Sequence, residues 1–234
     1  MTALVVSDLV VNRAGLPVVR GASLAAEPAR ISVLLGANGA GKTTLLEGVS
    51  GVAPSAGGLI EIGGAPMHGT RPSVRVRAGL AHVEQGRTVF RQLTTDENLR
   101  AAAPSKASVA QAYELFPELA KRAQVRAGLL SGGEQQMLVI ARALVHRPKV
   151  VLIDEMSAGL APVIVKRLMA AVRKLADQGL AVLLVEQFAA LALSIGDRAY
   201  VLRRGRIVYD GDCASLRQSP DELHRLYLGE AGQT

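Results

Sequence analysis

The stretch Gly36-Ala37-Asn38-Gly39-Ala40-Gly41-Lys42-Thr43-Thr44 constrains this chain more than any other, because it fits G-x-x-x-x-G-K-[ST] and joins two elements of different period. Before it runs the apolar segment Ile31-Ser32-Val33-Leu34-Leu35, and after it the helix-like segment Leu45-Leu46-Glu47-Gly48-Val49. A strand, a glycine turn and a helix start are therefore expected. Backbone without Cβ can curl around an anion and point successive N–H groups inward, at a helix N-terminus whose dipole favours negative charge. Polyphosphate is the ligand this suits. Lys42 would reach the β- and γ-phosphates as a point charge, and the Thr43 hydroxyl would take one position on a bound Mg²⁺.

The remaining 225 residues of the 234 must fold around that loop, and they are enough to bury a proper core as one large domain or a domain with an inserted lobe. Hydrophobic residues make up 49% and aromatics only 3%, with no Trp, so the core must rest on Ala, Val, Leu and Ile. Apolar runs fall short of the ~20 residues that span a bilayer. The opening Met1-Thr2-Ala3-Leu4-Val5-Val6-Ser7-Asp8 lacks the layout of a signal peptide, so a cytoplasmic protein is expected. A single cysteine, Cys213, excludes an internal disulfide and reads as a buried small apolar residue. His68, His82, His146 and His224 have no ligand spacing and read as structural or surface residues.

The net charge of +7 suits nucleic acid, anionic lipid or an acidic partner alike. Arg and Lys are scattered, the densest group being Arg203-Arg204-Gly205-Arg206, and no aromatics interleave with them for base stacking. Nucleic acid is therefore not expected. A basic face near a negatively charged membrane surface is at least as natural.

Along the chain, Leu4 to Leu35 reads as short strands between turns, with further strands at Gly57–Gly64 and Gly79–Val83, the latter ending at Glu84-Gln85-Gly86. Thr94-Thr95-Asp96-Glu97 has capping-box spacing; the helix it opens should stop near Pro104, and a second, Val109 to Phe116, at Pro117. Residues from about 88 to 147 thus read as a mostly helical lobe. It closes with Leu130-Ser131-Gly132-Gly133-Glu134-Gln135-Gln136 and a helix with Met137, Ile140, Ala141, Leu144 and Val145 on one stripe. Val150 to Ile153 reads as a buried parallel strand with Asp154 and Glu155 at its carboxyl end, where open α/β sheets bind ligands. Pro162 suits a helix start, with Ile164, Leu168, Ala171, Val172 and Leu175 as the apolar face and Gly179 as the stop. A second buried strand, Ala181 to Val185, brings Glu186-Gln187 to the same edge. A hairpin over Ala199–Tyr209, a short helix and a loose tail complete the chain.

Together, the phosphate loop, Gln85 after a strand, Leu130-Ser131-Gly132-Gly133-Glu134-Gln135 and the apolar run before Asp154-Glu155 resemble the ATP-binding cassette family over about residues 4 to 228. The resemblance implies a single ATPase domain, 1–234. It is an α/β P-loop NTPase core, a mostly parallel sheet flanked by helices, with an N-terminal antiparallel β part and an inserted helical lobe. It implies ATP and Mg²⁺ as cofactors, hydrolysis coupled to transport, transmembrane permease subunits as partners, and a second cassette, like or unlike, sandwiching two ATPs. The protein would then sit on the inner face of the cell membrane through its partner subunits only.

In that carry-over Gly36, Asn38, Gly39, Ala40, Gly41, Lys42, Thr43 and Thr44 hold the nucleotide, joined by Ser131, Gly132, Gly133 and Gln135 facing the opposite subunit. Thr43, Gln85 and Asp154 hold the metal, and Glu155, Gln85, Gln187 and Lys42 serve catalysis. Within the family, Val83-Glu84-Gln85-Gly86-Arg87, Leu160-Ala161-Pro162 and Leu184-Val185-Glu186-Gln187 are similar to importers of branched-chain amino acids and their amide and urea relatives. There are departures. Arg13 stands where many cassettes have an aromatic; either its guanidinium stacks on adenine instead or the base is held loosely. Met156 replaces the usual Pro, Ala161 an Asp, and Gln187 the switch histidine. Two other readings are a soluble cassette acting on nucleic acid or ribosomes, and a nucleotide-binding module with little turnover. The absence of paired cassettes or a coiled coil argues against the first, and intact Lys42, Asp154 and Glu155 against the second.

Overall fold

The computed structural model describes residues 2–103 and 105–228. Strands β1 (Leu4–Arg13) and β2 (Leu16–Ala26) form a hairpin; β3 (Ile31–Leu35) then leads through the glycine loop into helix α1 (Lys42–Ser50). Next come β4 (Ser55–Ile62), β5 (Ala65–Pro66), α2 (Pro72–Ala78) and β6 (Leu80–Val83). Four helices follow, α3 (Thr95–Ala102), α4 (Lys106–Leu115), α5 (Pro117–Ala120) and α6 (Gly132–Leu144), with a 3₁₀ turn at Ala127–Leu129. The chain returns through β7 (Val150–Asp154), α7 (Pro162–Asp177), β8 (Ala181–Val185) and α8 (Ala189–Ile195). It ends in β9 (Arg198–Arg203), β10 (Arg206–Asp212), α9 (Cys213–Gln218) and α10 (Pro220–Leu228). No helix among the described residues is long and apolar enough to cross a membrane.

Two sheets result. The first is antiparallel with order β2-β1-β4-β5; the second has order β10-β9-β3-β8-β7-β6, and all its pairings are parallel except β10 on β9. β3, β7 and β8 are buried at every residue, which is why each reads as an unbroken apolar run instead of an alternation. Alternation survives in which side each residue faces. Val33, Leu35, Val151, Ile153, Val182 and Leu184 join the core shared with α6 and α7, whereas Leu34, Leu152 and Leu183 face α1 and the antiparallel sheet. There α1 lies so close to β1 that a Cβ on Gly48 would come within 2.5 Å of Val11 Cγ2.

Local signals account for most helix ends. Thr94 and Glu97 close a capping box on α3, and Ser131 and Glu134 close a second one on α6, a spacing also present in the sequence but not singled out there. α3 ends at Ala102; the expected stop at Pro104 and the expected tail beyond residue 228 lie outside the described residues. Pro117 does more than stop α4, since its fixed φ also starts α5. On α7 the buried stripe is turned slightly from the expected one: Val165, Met169 and Ala176 are buried with Leu168, Ala171 and Val172, while Ile164 and Leu175 are only half-buried. The short helices α2, α8 and α9 were not anticipated, each being too brief to show a period.

Candidate nucleotide site

The loop between β3 and α1 is shaped by its glycines. Gly36 has φ 153°, and a Cβ there would sit 2.3 Å from the Leu202 carbonyl oxygen at the end of β9, so no side chain fits. Gly41, at φ 106°, precedes α1 and offers no side-chain cap, which leaves the first N–H groups of the helix free for an anion. The Gly205 N–H donates to the Ala40 carbonyl at 3.0 Å and ties the β9–β10 turn to the loop tip. Asn38, Gly39 and Thr43 are exposed, Thr44 half-buried.

Lys42 is buried, and its ammonium donates to the carbonyls of Gly36 (2.8 Å) and Ala37 (3.3 Å). Burial lowers its pKa, opposed by the negative charges of Glu155 and Asp154. Asp154, at the last position of β7, is 1% exposed, and neither carboxylate oxygen has a hydrogen-bond partner. Burial raises its pKa, while the nearby Thr43 hydroxyl and Lys42 pull it down. The Lys42 charge and the Thr43 hydroxyl act on this carboxylate without a hydrogen bond of normal geometry, so it is short of partners and a bound cation would complete its shell. With the Thr43 hydroxyl beside it, Asp154 fits Mg²⁺, which takes few protein oxygens and fills its other positions with phosphate and water.

Glu155 follows with φ 47°, left-handed for a residue that has a Cβ. Its Oε2 accepts from Gln85 Nε2 at 2.7 Å, so the loop after β6 and the end of β7 meet there. Gln187, after β8, is exposed at the same sheet edge. Lys42, Thr43, Asp154, Glu155 and Gln85 are thus gathered from three segments.

The other candidates make no hydrogen bond to that group among the described residues. Ser131 Oγ accepts from the Glu134 N–H at 3.3 Å, Gly132 and Gly133 open α6, and Gln135 Nε2 donates to the Ala127 carbonyl at 2.9 Å. No hydrogen bond among the described residues links Ser131–Gln135 to the glycine loop. Arg13 forms an ion pair with Glu47 on α1, and stacking on a base would have to share or break that pair.

Several neighbours escaped the sequence reading. A cavity of about 1030 Å³ beside Asn38 and Gly39 is lined by Arg20, Arg203, Arg204, Arg206 and Arg225, none of which forms an ion pair among the described residues. Three of them belong to the one basic cluster visible in the sequence; folding adds the other two. Their field draws polyanions toward the loop. Tyr227 on α10 lies beside the Gly36 backbone. Arg87 is a strut: it donates to the Ala158 carbonyl at 2.8 Å, and a Cβ on Gly132 would come within 2.8 Å of its Nη1.

A family model described as ABC transporter matches residues 19–158, from β2 to just past Glu155. The chain is 42% identical over 213 residues to the high-affinity branched-chain amino acid transport ATP-binding protein BraG of Pseudomonas aeruginosa, covering 88% of this chain and 91% of that protein. It is 32% identical over 249 residues to the similarly named BraF of the same organism, covering 97% of each. A crystal structure of a nucleotide-free ATP-binding cassette from an ABC transporter matches with a TM-score of 0.87 at 23% identity, over 98% of this chain and 100% of that one, which shows the same fold. The matched segment takes in the glycine loop, Gln85, Ser131 and the two carboxylates, and the chain belongs to the ABC transporter family.

Proposed function

We propose that this chain, a single ATPase domain with an inserted helical subdomain, binds and hydrolyses Mg-ATP at the Gly36–Thr44 loop as the peripheral subunit of an importer. Its permease partners would carry branched-chain amino acids or related small polar solutes such as amides or urea. The observation that carries this reading is the meeting of Lys42, Asp154, Glu155 and Gln85 at one sheet edge beside a helix start with free N–H groups.

Phosphoryl transfer needs positioning and charge neutralisation more than covalent chemistry. The Lys42 ammonium exchanges its two loop carbonyls for phosphate oxygens. Thr43, Asp154 and Gln85 would hold Mg²⁺, which when bound would supply charge neutralisation to the phosphates. Glu155 orients the attacking water, with Gln85 fixing its carboxylate in the meantime. Gln187 hydrogen-bonds the γ-phosphate or a neighbouring carbonyl without becoming a cation near neutral pH. The Ser131–Gly133 seat serves the nucleotide of a second cassette, like or unlike, because within one chain it is not joined to the loop.

The test is nucleotide titration alongside phosphate release. Lys42→Ala should lose most nucleotide affinity, whereas Glu155→Gln should keep affinity and lose turnover by about 10²-fold or more. A Glu155→Gln protein that hydrolyses ATP at the parental rate would remove Glu155 from its role. Uptake of labelled leucine, acetamide or urea by vesicles holding the chain with its permease partners decides the solute class.

A further inference from the structure

Glu186 is a buried titratable group that the reading above leaves idle. It follows β8 directly, is 0% exposed, and stands next to Gln187. Its Oε1 accepts from the Ser157 N–H at 3.2 Å, and its Oε2 meets Ser157 Oγ at 2.5 Å. The Gln187 backbone N–H also lies close to this carboxylate. Ser157 is itself buried, two residues after Glu155.

Between them Glu155 holds φ 47°, a left-handed conformation that costs a residue with a Cβ on the order of 1–2 kcal/mol and persists only where its surroundings enforce it. Met156 has no ring to fix the turn. The restraints lie on either side: the Glu155 N–H donates to the Val185 carbonyl at 3.0 Å, the Met156 side chain is buried in the core, and Ser157 is held by both its N–H and its hydroxyl. Two of these three come from the end of β8.

We propose that Glu186 is a positioning residue for hydrolysis: by clamping Ser157 it holds Glu155 in its left-handed turn, and it fixes Gln187 to the same unit. The carboxylate that orients water and the amide that meets the terminal phosphate then keep a set separation. This rests on the reading of Glu155 as the residue that orients water. A purely structural clamp would lower thermal stability without touching turnover per folded molecule.

The experiment measures kcat, KM for ATP, nucleotide affinity and Tm for the full chain and five variants: Ser157→Ala, Glu186→Ala, Glu186→Gln, Glu155→Gln and the double variant Ser157→Ala/Glu155→Gln. Ser157→Ala removes one hydroxyl and should lower kcat by about five- to thirty-fold, with KM and affinity within about twofold. Glu186→Ala should do at least as much; if it does not fold, Ser157→Ala still decides. Glu186→Gln keeps an acceptor for the Ser157 N–H and should recover kcat to within about threefold of the parent. In the Glu155→Gln background Ser157→Ala should cause little further loss, because both act through one carboxylate. If Ser157→Ala lowers Tm while kcat stays parental, or its loss simply adds to that of Glu155→Gln, the clamp is structural and the proposal fails. A fully active Glu155→Gln would instead overturn the assignment of Glu155 itself, so the two failures are distinguishable.

Discussion

Gln187 stands exposed at the end of β8 with a side chain that hydrogen-bonds but does not ionise. If it contacts the transferring phosphate, Gln187→Ala should slow hydrolysis about five- to 150-fold, the worth of a lost polar contact of roughly 1–3 kcal/mol. Gln187→His should keep activity and add a pH dependence near the imidazole pKa. Parental turnover by the alanine variant would show that another group senses the phosphate. His82 on β6 makes a separate prediction about stability. Both its ring nitrogens are enclosed without partners among the described residues, and burial pushes its pKa down to about 4 from 6.5. The unfolded chain therefore binds the proton more readily. Stability from the neutral ring is complete above pH 6.5 and is lost as pH falls from there toward 4. His82→Leu should match the parent at pH 7.5 and exceed it by roughly 1–2 kcal/mol at pH 5 in denaturant titrations. Equal acid losses in both proteins would exclude His82 as the cause. Neither the enclosure of His82 nor the pairing of Arg13 with Glu47 was legible in the chain, because burial and ion pairs belong to residues brought in from other elements.

At the scale of one element, α1 has its two ends treated in opposite ways. Its N-terminus is left open by Gly41, while its C-terminus is met by Arg75, 2% exposed and paired with no carboxylate among the described residues. Arg75 Nη1 donates to the Gly48 and Val49 carbonyls, both at 2.7 Å; Nη2 donates to the Met67 carbonyl at 3.1 Å and Nε to Thr70 Oγ1 at 3.1 Å. A cation there satisfies the orphan carbonyls and complements the helix dipole, whose positive end opens on the glycine loop. Arg75→Met should cost about 2–4 kcal/mol and lower Tm by roughly 4–15 °C, with Arg75→Lys recovering part of the loss. Parental thermal unfolding of the methionine variant would show that the buried guanidinium does not hold α1. Gly51, whose added Cβ would come within 2.9 Å of Arg75 Nε, leaves room for this cap.

For the whole molecule, the Ser131–Gly133 helix start has no hydrogen bond to the glycine loop among the described residues, and its proposed service to a second cassette has its own test. The Glu155→Gln protein should be a monomer without nucleotide and a dimer in saturating ATP, since hydrolysis no longer dissolves the sandwich. Light scattering that shows no gain in mass, with this chain alone and with an unlike cassette of the same system, would count against that assembly. Within the chain, Arg87 ties the loop after β6 to the Ala158 carbonyl and to the start of α6.

By itself the sequence determined what is local. The glycine pattern specified a strand, an anion-binding turn and a helix; unbroken apolar runs specified buried parallel strands; Thr94 with Glu97 and Pro162 specified where helices begin, and Pro117 where one ends. Such signals act within four residues or with a period of two, so one stretch of chain carries them whole. Tertiary structure alone decided that Gly36 must be glycine because Leu202 lies against it, and that Gln85 bonds Glu155 across 70 positions. It also decided that Glu186 holds Ser157 across 29. Those contacts depend on the strand order β10-β9-β3-β8-β7-β6, which places elements from distant parts of the chain side by side. No local period encodes that order, because it is set by which faces can be buried together.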